Sequence, residues 1–290
     1  MAQGRIINSV AGTYTVIVGE STFQCKPRGR FRFEGISPVT GDLVEIKIGP
    51  DSTGVIEQIL PRRNILTRPT IANIDQVIVV LAPQPKPNFY LVDKVLISAE
   101  HLELNCVVVV NKTDLGDQVK DFLDYYRKTN YNLFAISVHR KEGLEELEQI
   151  CQGHISVLAG QSGVGKSSII NHFCPELNLT TQEVSPKRGF GRHTTRNVRL
   201  LQLPGGGLLA DTPGFSKFDI ANIDKERLAA HFPEMVEFLG QCRYTACLHK
   251  SEPDCAVIKA LSNSHIHQQR YESYLAVLND LIESEKRKYS

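Results

Sequence analysis

Eight consecutive residues constrain this chain more than any others: Gly160-Gln161-Ser162-Gly163-Val164-Gly165-Lys166-Ser167, spaced G-x-x-x-x-G-K-S. Such a loop works only between a buried strand and the first turn of a helix. Both flanks comply. Residues 154–159 form a short apolar run of strand length, and residues 167–173 can open a helix that Pro175 stops. The glycines let backbone N–H groups point inward at phosphate oxygens, and the helix N-terminus favours negative charge there. Lys166 is placed to reach the β- and γ-phosphates of a nucleotide, Ser167 to ligate Mg²⁺ through its hydroxyl, and Ser168 to extend the cradle.

A length of 290 residues gives a soft expectation of two domains. With 41% hydrophobic and 22% charged residues, such a chain can bury a core without staples. The net charge of +1 marks no global attraction to nucleic acid, so any such contact must come from local patches. The first ten residues hold no long apolar segment, so no export signal is read. The longest apolar runs, 77–82 and 106–110, are far too short to span a bilayer. There are seven cysteines, an odd number, and three crowd into residues 242–255. Together these point to the reducing cytoplasm, and to metal rather than disulfides.

Residues 1–62 read as five short strands at 5–7, 14–18, 23–25 with 30–33, 43–48 and 54–60. Gly12, Gly29, Pro38, Gly41 and Gly49-Pro50 break them. This pattern suggests a small closed barrel of the oligonucleotide-binding (OB) type. Lys26, Arg28, Arg30 and Arg32 interleave with Phe23, Phe31 and Phe33. Either the set contacts phosphates and stacks on bases, or the phenylalanines fill the barrel and the charges are solvated. Residues 61–64 read as a linker. Beyond it, strands at 74–81, 106–110 and 133–137 alternate with helices at 88–99, 117–128 and 144–151. Alternation of this kind means a parallel sheet covered on both faces, with function in the loops at the carboxyl ends of the strands.

Asn111-Lys112-Thr113-Asp114 is such a loop, directly after a run of four valines. The Asp114 carboxylate can accept from the N1–H and 2-amino groups of guanine. Adenine offers neither and leaves the carboxylate unpaired. The Asn111 amide and the Lys112 stem would frame the ring. After the next strand, Ser137-Val138 is where a second guanine-contacting segment falls. Asp211-Thr212-Pro213-Gly214 follows a strand at 207–210. Asp211 is placed on the Mg²⁺ side and Gly214 to offer its N–H to the γ-phosphate. Between the phosphate loop and Asp211 run residues 185–199, with Lys187, Arg188, Arg192, Arg196 and Arg199 and no acid. Thr194 or Thr195 is placed to close over Mg²⁺. The excess of positive charge suits RNA phosphates, or a solvated basic loop.

The tail after about residue 223 reads as helical with one insertion. Cys242, Cys247, His249 and Cys255 are spaced C-x4-C-x-H-x5-C, a closed tetrahedral donor set of the structural zinc kind. Lys250, His265, His267 and Arg270 are candidate RNA contacts, and a helix at 268–286 carries Tyr271, Tyr274, Leu275, Leu278 and Ile282 as core.

The base-reading turn precedes the phosphate loop and Asp211 comes last, so the GTPase motifs stand in circularly permuted order. With a barrel in front and a cysteine cluster behind, the chain closely resembles the bacterial ribosome small-subunit-dependent GTPase A family over essentially its whole length. The resemblance implies three domains: an OB-fold barrel at 1–63, a central α/β circularly permuted P-loop GTPase domain at 64–222, and a mostly α-helical zinc-binding domain at 223–290. It implies GTP hydrolysis stimulated by the small ribosomal subunit late in its maturation, contact with its rRNA, Mg²⁺ with GTP or GDP, one structural Zn²⁺, no membrane partner and a free monomer. Phe215 stands where many GTPases carry a water-orienting glutamine, and it has no group to hold water. The resemblance nominates His193 for that task; a surface or RNA contact is the other reading. Gly163 occupies the position where some permuted GTPases carry an asparagine tied to potassium, so no potassium is expected. Two other classes compete: a nucleotide-gated scaffold that barely turns over, and an ATP-driven enzyme such as a kinase.

Overall fold

The structure is a computed structural model that describes residues 1–29, 31, 35–67, 69–116, 118–177, 198–211 and 223–288. The first five strands, β1 (Ala2–Val10), β2 (Thr13–Val18), β3 (Ser21–Pro27), β4 (Leu43–Ile48) and β5 (Thr53–Ile59), close into a barrel in the order β1-β2-β3-β5-β4. β3 and β5 run parallel; the other neighbours are antiparallel. Inward residues alternate along each strand, as a two-residue period requires. Ile6, Val16, Cys25, Val44, Ile46 and Ile56 are fully buried inside.

The expected continuation of the third strand through residues 30–33 does not hold at Phe31. Pro27 cannot donate a further ladder bond, and Phe31 sits in a helical turn with its ring in the barrel core. Arg30, Arg32 and Phe33 lie outside the described residues. Phe31 therefore belongs to the packing reading of the basic–aromatic set, and Arg28 is spent on Glu57 at 2.7 Å.

Residues 61–64 are anchored rather than loose. Arg62 bonds both oxygens of the fully buried Asp42, at 2.7 and 2.8 Å, and Arg63 bonds Asp75 at 2.7 Å. A short hairpin follows, β6 (Ile65–Thr67) with β7 (Thr70–Ala72).

The remaining strands are β8 (Gln76–Leu81), β9 (Asn105–Val110), β10 (Asn132–Ala135), β11 (Ile155–Ala159), β12 (Arg199–Gln202) and β13 (Leu208–Asp211). They form one six-stranded sheet in the order β10-β9-β8-β11-β13-β12. β9 and β10 are parallel, as are β11 and β13, while β12 is an antiparallel edge. Between strands come α1 (Phe89–His101), α2 (Gln118–Arg127), α3 (Leu144–Cys151) and α4 (Lys166–Phe173). β12 was not expected: Arg199 ends the basic run in sequence, yet it starts a strand that hairpins back through Pro204-Gly205-Gly206-Gly207. Every residue of β8 and β11 is buried, which is why both read as continuous apolar runs.

By compactness the chain falls into two units. One comprises Met1–Gln76, Glu145–Leu158 and Ser167–Phe215, and holds the barrel and β11 to β13. The other comprises Val77–Leu144, Ala159–Lys166 and Ser216–Ser290. It adds α5 (Pro233–Val236), α6 (Ala256–Ser262) and α7 (Gln268–Lys288). Phe232, Met235, Val257, Val277 and Leu278 are fully buried in the core these helices share. Among the described residues, no helix is long and apolar enough to cross a membrane.

Arg270 corrects one expectation. It is completely buried and cannot touch RNA. Its guanidinium bonds Asp93 of α1 at 2.5 Å and Glu234 of α5 at 2.6 and 3.2 Å. Burial alone would deplete a charge there, but the two carboxylates more than offset it and hold Arg270 firmly protonated.

Candidate functional site

The phosphate loop and the Asn-Lys-Thr-Asp turn meet in the second unit. Gly160 has φ 140°, and a Cβ there would lie 2.2 Å from the Val80 carbonyl oxygen. Gly165 has φ 102°, and a Cβ there would lie 2.2 Å from Asn111 Nδ2. Both positions thus require glycine for backbone conformation and for close approach.

Asn111 is buried, and its Nδ2 donates to Val164 O at 2.9 Å while its Oδ1 accepts from Val138 N at 3.4 Å. Lys112 takes a left-handed φ of 62°. Its Nζ donates to Gly163 O at 2.7 Å and Gln84 O at 2.9 Å. These two side chains staple the Asn-Lys-Thr-Asp turn to the backbone of the glycine-rich loop.

Asp114 stays half-exposed, so its carboxylate remains open to a ligand. Its Oδ1 accepts from Ser137 Oγ at 2.5 Å, and that bond holds the carboxyl below its ordinary value. Ser137 Oγ in turn accepts from Arg140 N at 3.1 Å. Sequence reasoning picked residues 137 and 138 as backbone contacts and missed the hydroxyl that orients Asp114. It also missed Asn88, whose N–H donates to Gln161 Oε1 at 3.3 Å.

Lys166 Nζ donates to Gly160 O and Gln161 O, each at 2.7 Å. Burial pulls its pKa down to about 8. A polyphosphate beside it supplies the opposite charge and restores the cation. Ser162 and Gly163 are exposed on the loop, and Ser167 and Ser168 follow in the first turn of α4.

In the first unit, Asp211 ends β13, half-buried, directly across from Arg199. Burial raises its pKa and Arg199 works against that rise. Thr113 lies in the short helical turn Thr113–Leu115 after Lys112. His193, Thr194, Thr195, Gly214 and Phe215 lie outside the described residues, as do Lys187, Arg188, Arg192 and Arg196.

The cysteine cluster brings together four side chains that could hold a metal ion. The ligand atoms of Cys242, Cys247, His249 and Cys255 all lie within 4.8 Å of one another. Cys242 Sγ is 3.8 Å from Cys255 Sγ and 3.5 Å from His249 Nδ1, which is 3.3 Å from Cys255 Sγ. A tetrahedron with zinc–sulfur and zinc–nitrogen bonds of ordinary length has edges of about 3.8 and 3.6 Å. The donors thus fit a closed four-coordinate ion. Burial pushes the Cys247 thiol up to about 12, a penalty that a dication reverses by binding thiolate.

Glu252, unremarked in the sequence, shapes this loop. Its carboxylate accepts from the N–H groups of Leu248, Lys250 and Ser251 at 2.7–3.0 Å. Burial raises its pKa, but those bonds prevail and hold it at about 2. Tyr271 and Tyr274 of α7 donate to the carbonyls of His249 and Leu248, each at 2.7 Å. The αL backbone of His249, φ 53°, is thereby fixed from both sides. Purified chain is expected to carry one zinc, and Cys255→Ser to lose it and drop the melting temperature by about 10 °C or more. Metal analysis and a thermal melt check both; a metal-free variant that melts like the parent removes the site's structural role.

Residues 59–221 match the RsgA GTPase family and residues 3–56 match the RsgA N-terminal domain. The small ribosomal subunit biogenesis GTPase RsgA of Caldanaerobacter subterraneus subsp. tengcongensis is 44% identical over 290 residues, covering 99% of this chain and 98% of its own. The protein of the same name from Moorella thermoacetica is 44% identical over 287 residues, covering 98% and 99%. Among solved structures, YjeQ from Thermotoga maritima superposes with a TM-score of 0.85 at 36% identity, covering 97% of this chain and 98% of that one. YloQ, described as a circularly permuted GTPase, gives a TM-score of 0.82 at 32% identity over 98% and 96%. The barrel, the permuted order of the motifs and the full-length likeness agree: this chain belongs to the RsgA GTPase family.

Proposed function

We propose that this chain hydrolyses GTP, that the small ribosomal subunit stimulates it, and that it acts late in that subunit's assembly in the cytoplasm. The observation that carries the reading is the double staple of Asn111 to Val164 and Lys112 to Gly163. It holds a guanine-selective carboxylate at fixed distance from a phosphate cradle, so one nucleotide engages both. Names of relatives at 44% identity support the ribosomal partner.

In this reading Gly160, Gln161, Ser162, Gly163, Val164 and Gly165 cradle the phosphates with backbone N–H groups. Lys166 trades its two carbonyl partners for phosphate oxygens, and Asp114 with Ser137 reads the base. Ser167 and Asp211 would hold Mg²⁺, Thr194 or Thr195 would join from the basic loop, and Gly214 would donate its N–H to the γ-phosphate. Held there, Mg²⁺ would supply positive charge that stabilises negative charge on the phosphate oxygens. His193 orients the attacking water, since Phe215 has no polar group to do so. The division into 1–63, 64–222 and 223–290 is functional: barrel and zinc region grip rRNA, and the centre turns over nucleotide as a monomer.

Purified small subunits are expected to raise GTP turnover at least about tenfold, as a charge-supplying activator does. His193→Ala is expected to abolish that gain with GTP binding intact. Turnover unmoved by subunits that nonetheless bind tightly marks a nucleotide-gated scaffold and overturns the proposal.

A further inference from the structure

The turn leading into β4 is held on nearly every side. Gly41 N donates to Ile6 O at 2.8 Å and Ile6 N to Asp42 O at 2.9 Å, fastening it to β1. Asp42 accepts from Val39 N at 2.8 Å as well as from Arg62. Gly41 has φ 94°, and a Cβ there would sit 2.0 Å from the Ala72 carbonyl oxygen. Within this clamp the Thr40 carbonyl accepts from Ala72 N at 2.9 Å. Thr40 Oγ1 donates to Val198 O at 3.1 Å, a buried bond across 158 residues of sequence. Val198 is itself buried and immediately precedes β12. The next residue, Arg199, pairs in register with Asp211.

We propose that Thr40 is a positioning residue for magnesium-dependent GTP hydrolysis: its hydroxyl pins the start of β12 to the barrel and so fixes the Arg199–Asp211 rung. The inference rests on Asp211 as the magnesium-side carboxylate. Buried groups do not give up a hydrogen-bond partner cheaply, so the carbonyl of Val198 follows the turn that Thr40 sits in. A force on the barrel, such as docking on RNA, thus has a route to the carboxylate through the Thr40 hydrogen bond and the Arg199–Asp211 rung, beside the packing of β1 on β12. Residues 39–42 make no contact with nucleotide in this scheme, which separates Thr40 from the site it sets.

Thr40→Val in the full chain keeps shape and volume and removes only the donor. The Mg²⁺ concentration giving half-maximal, subunit-stimulated GTP turnover is expected to rise about fivefold, the worth of one buried hydrogen bond. GDP affinity measured without Mg²⁺ is expected to stay at the parent value, and Thr40→Ser to restore the parent Mg²⁺ dependence. Thermal melts are run in parallel. Should valine unfold the chain, Thr40→Cys, a weaker donor of similar size, carries the same expectation to a lesser degree. Asp211→Asn separates the two layers. If it shifts the Mg²⁺ dependence and Thr40→Val does not, the clasp is overturned alone; if neither shifts it, the reading of Asp211 falls and the clasp with it.

Discussion

Exchanging Asp114 for asparagine is expected to weaken GTP and GDP binding by about 100-fold or more while xanthine nucleotides gain affinity. In the proposed reading the carboxylate, held below its ordinary value by the Ser137 hydrogen bond, would accept from two guanine donors. An amide presents an N–H group toward one of those donors, so a bond is lost and two donors face each other. Xanthine carries a carbonyl where guanine carries its 2-amino group, and it accepts from the new amide. The swap disturbs little else: Asn111 and Lys112, not Asp114, hold the turn to the phosphate loop. The melting temperature is therefore expected to hold. Titration of both chains with labelled GDP and XDP reads the outcome. Parent-like GDP affinity in the asparagine variant means the turn does not read the base, and adenine nucleotides become admissible.

The parts of this protein that were legible in sequence are those where the backbone itself does the chemistry. Gly160 and Gly165 must be glycine because a Cβ collides with Val80 and Asn111, so their spacing survives as a pattern. The C-x4-C-x-H-x5-C spacing is equally rigid, because four donors must close on one point. Strands of six or more residues in β2, β4, β5 and β8 carry enough period or apolar length to be seen. Among the strands of three or four residues, β10 and β13 were marked by the motif loops that follow them, whereas β6, β7 and β12 carry no such mark, and Arg199 accordingly read as the tail of a basic loop. Phe31 was ambiguous for a different reason: an aromatic beside arginines fits a base stack and a barrel core equally, and only burial separates them. Ser137 and Glu252 act through hydrogen bonds to backbone or to a carboxylate that no periodicity announces.

Arg270 illustrates the strongest failure of local reading, and its removal carries the largest expected loss of stability. An arginine near the start of a polar helix reads as solvent-exposed, because arginine is almost never fully buried unless paired. Its partners stand 177 and 36 residues away, on α1 and α5. Phe232 lies 4.7 Å from the guanidinium carbon, and Tyr125 and Tyr126 donate to the same Asp93 at 2.6 and 3.1 Å. In Arg270→Met the volume is nearly kept, yet Asp93 and Glu234 are left as buried carboxylates without a cation. Breaking one side of such a cluster costs about 3–5 kcal/mol, which in a chain of this size lowers the melting temperature by roughly 10 °C. Neutralising the partners as well, in Asp93→Asn with Glu234→Gln and Arg270→Met, removes the uncompensated charge and is expected to recover most of that loss. The sign follows from desolvation: the cluster's members are costly alone and tolerable together. Chemical denaturation of the parent, single and triple variants measures this directly. A single variant as stable as the parent would mean that solvent reaches the carboxylates. A triple variant no better than the single would mean that Arg270 contributes through stacking on the Phe232 and Tyr126 rings and through packing rather than through its charge.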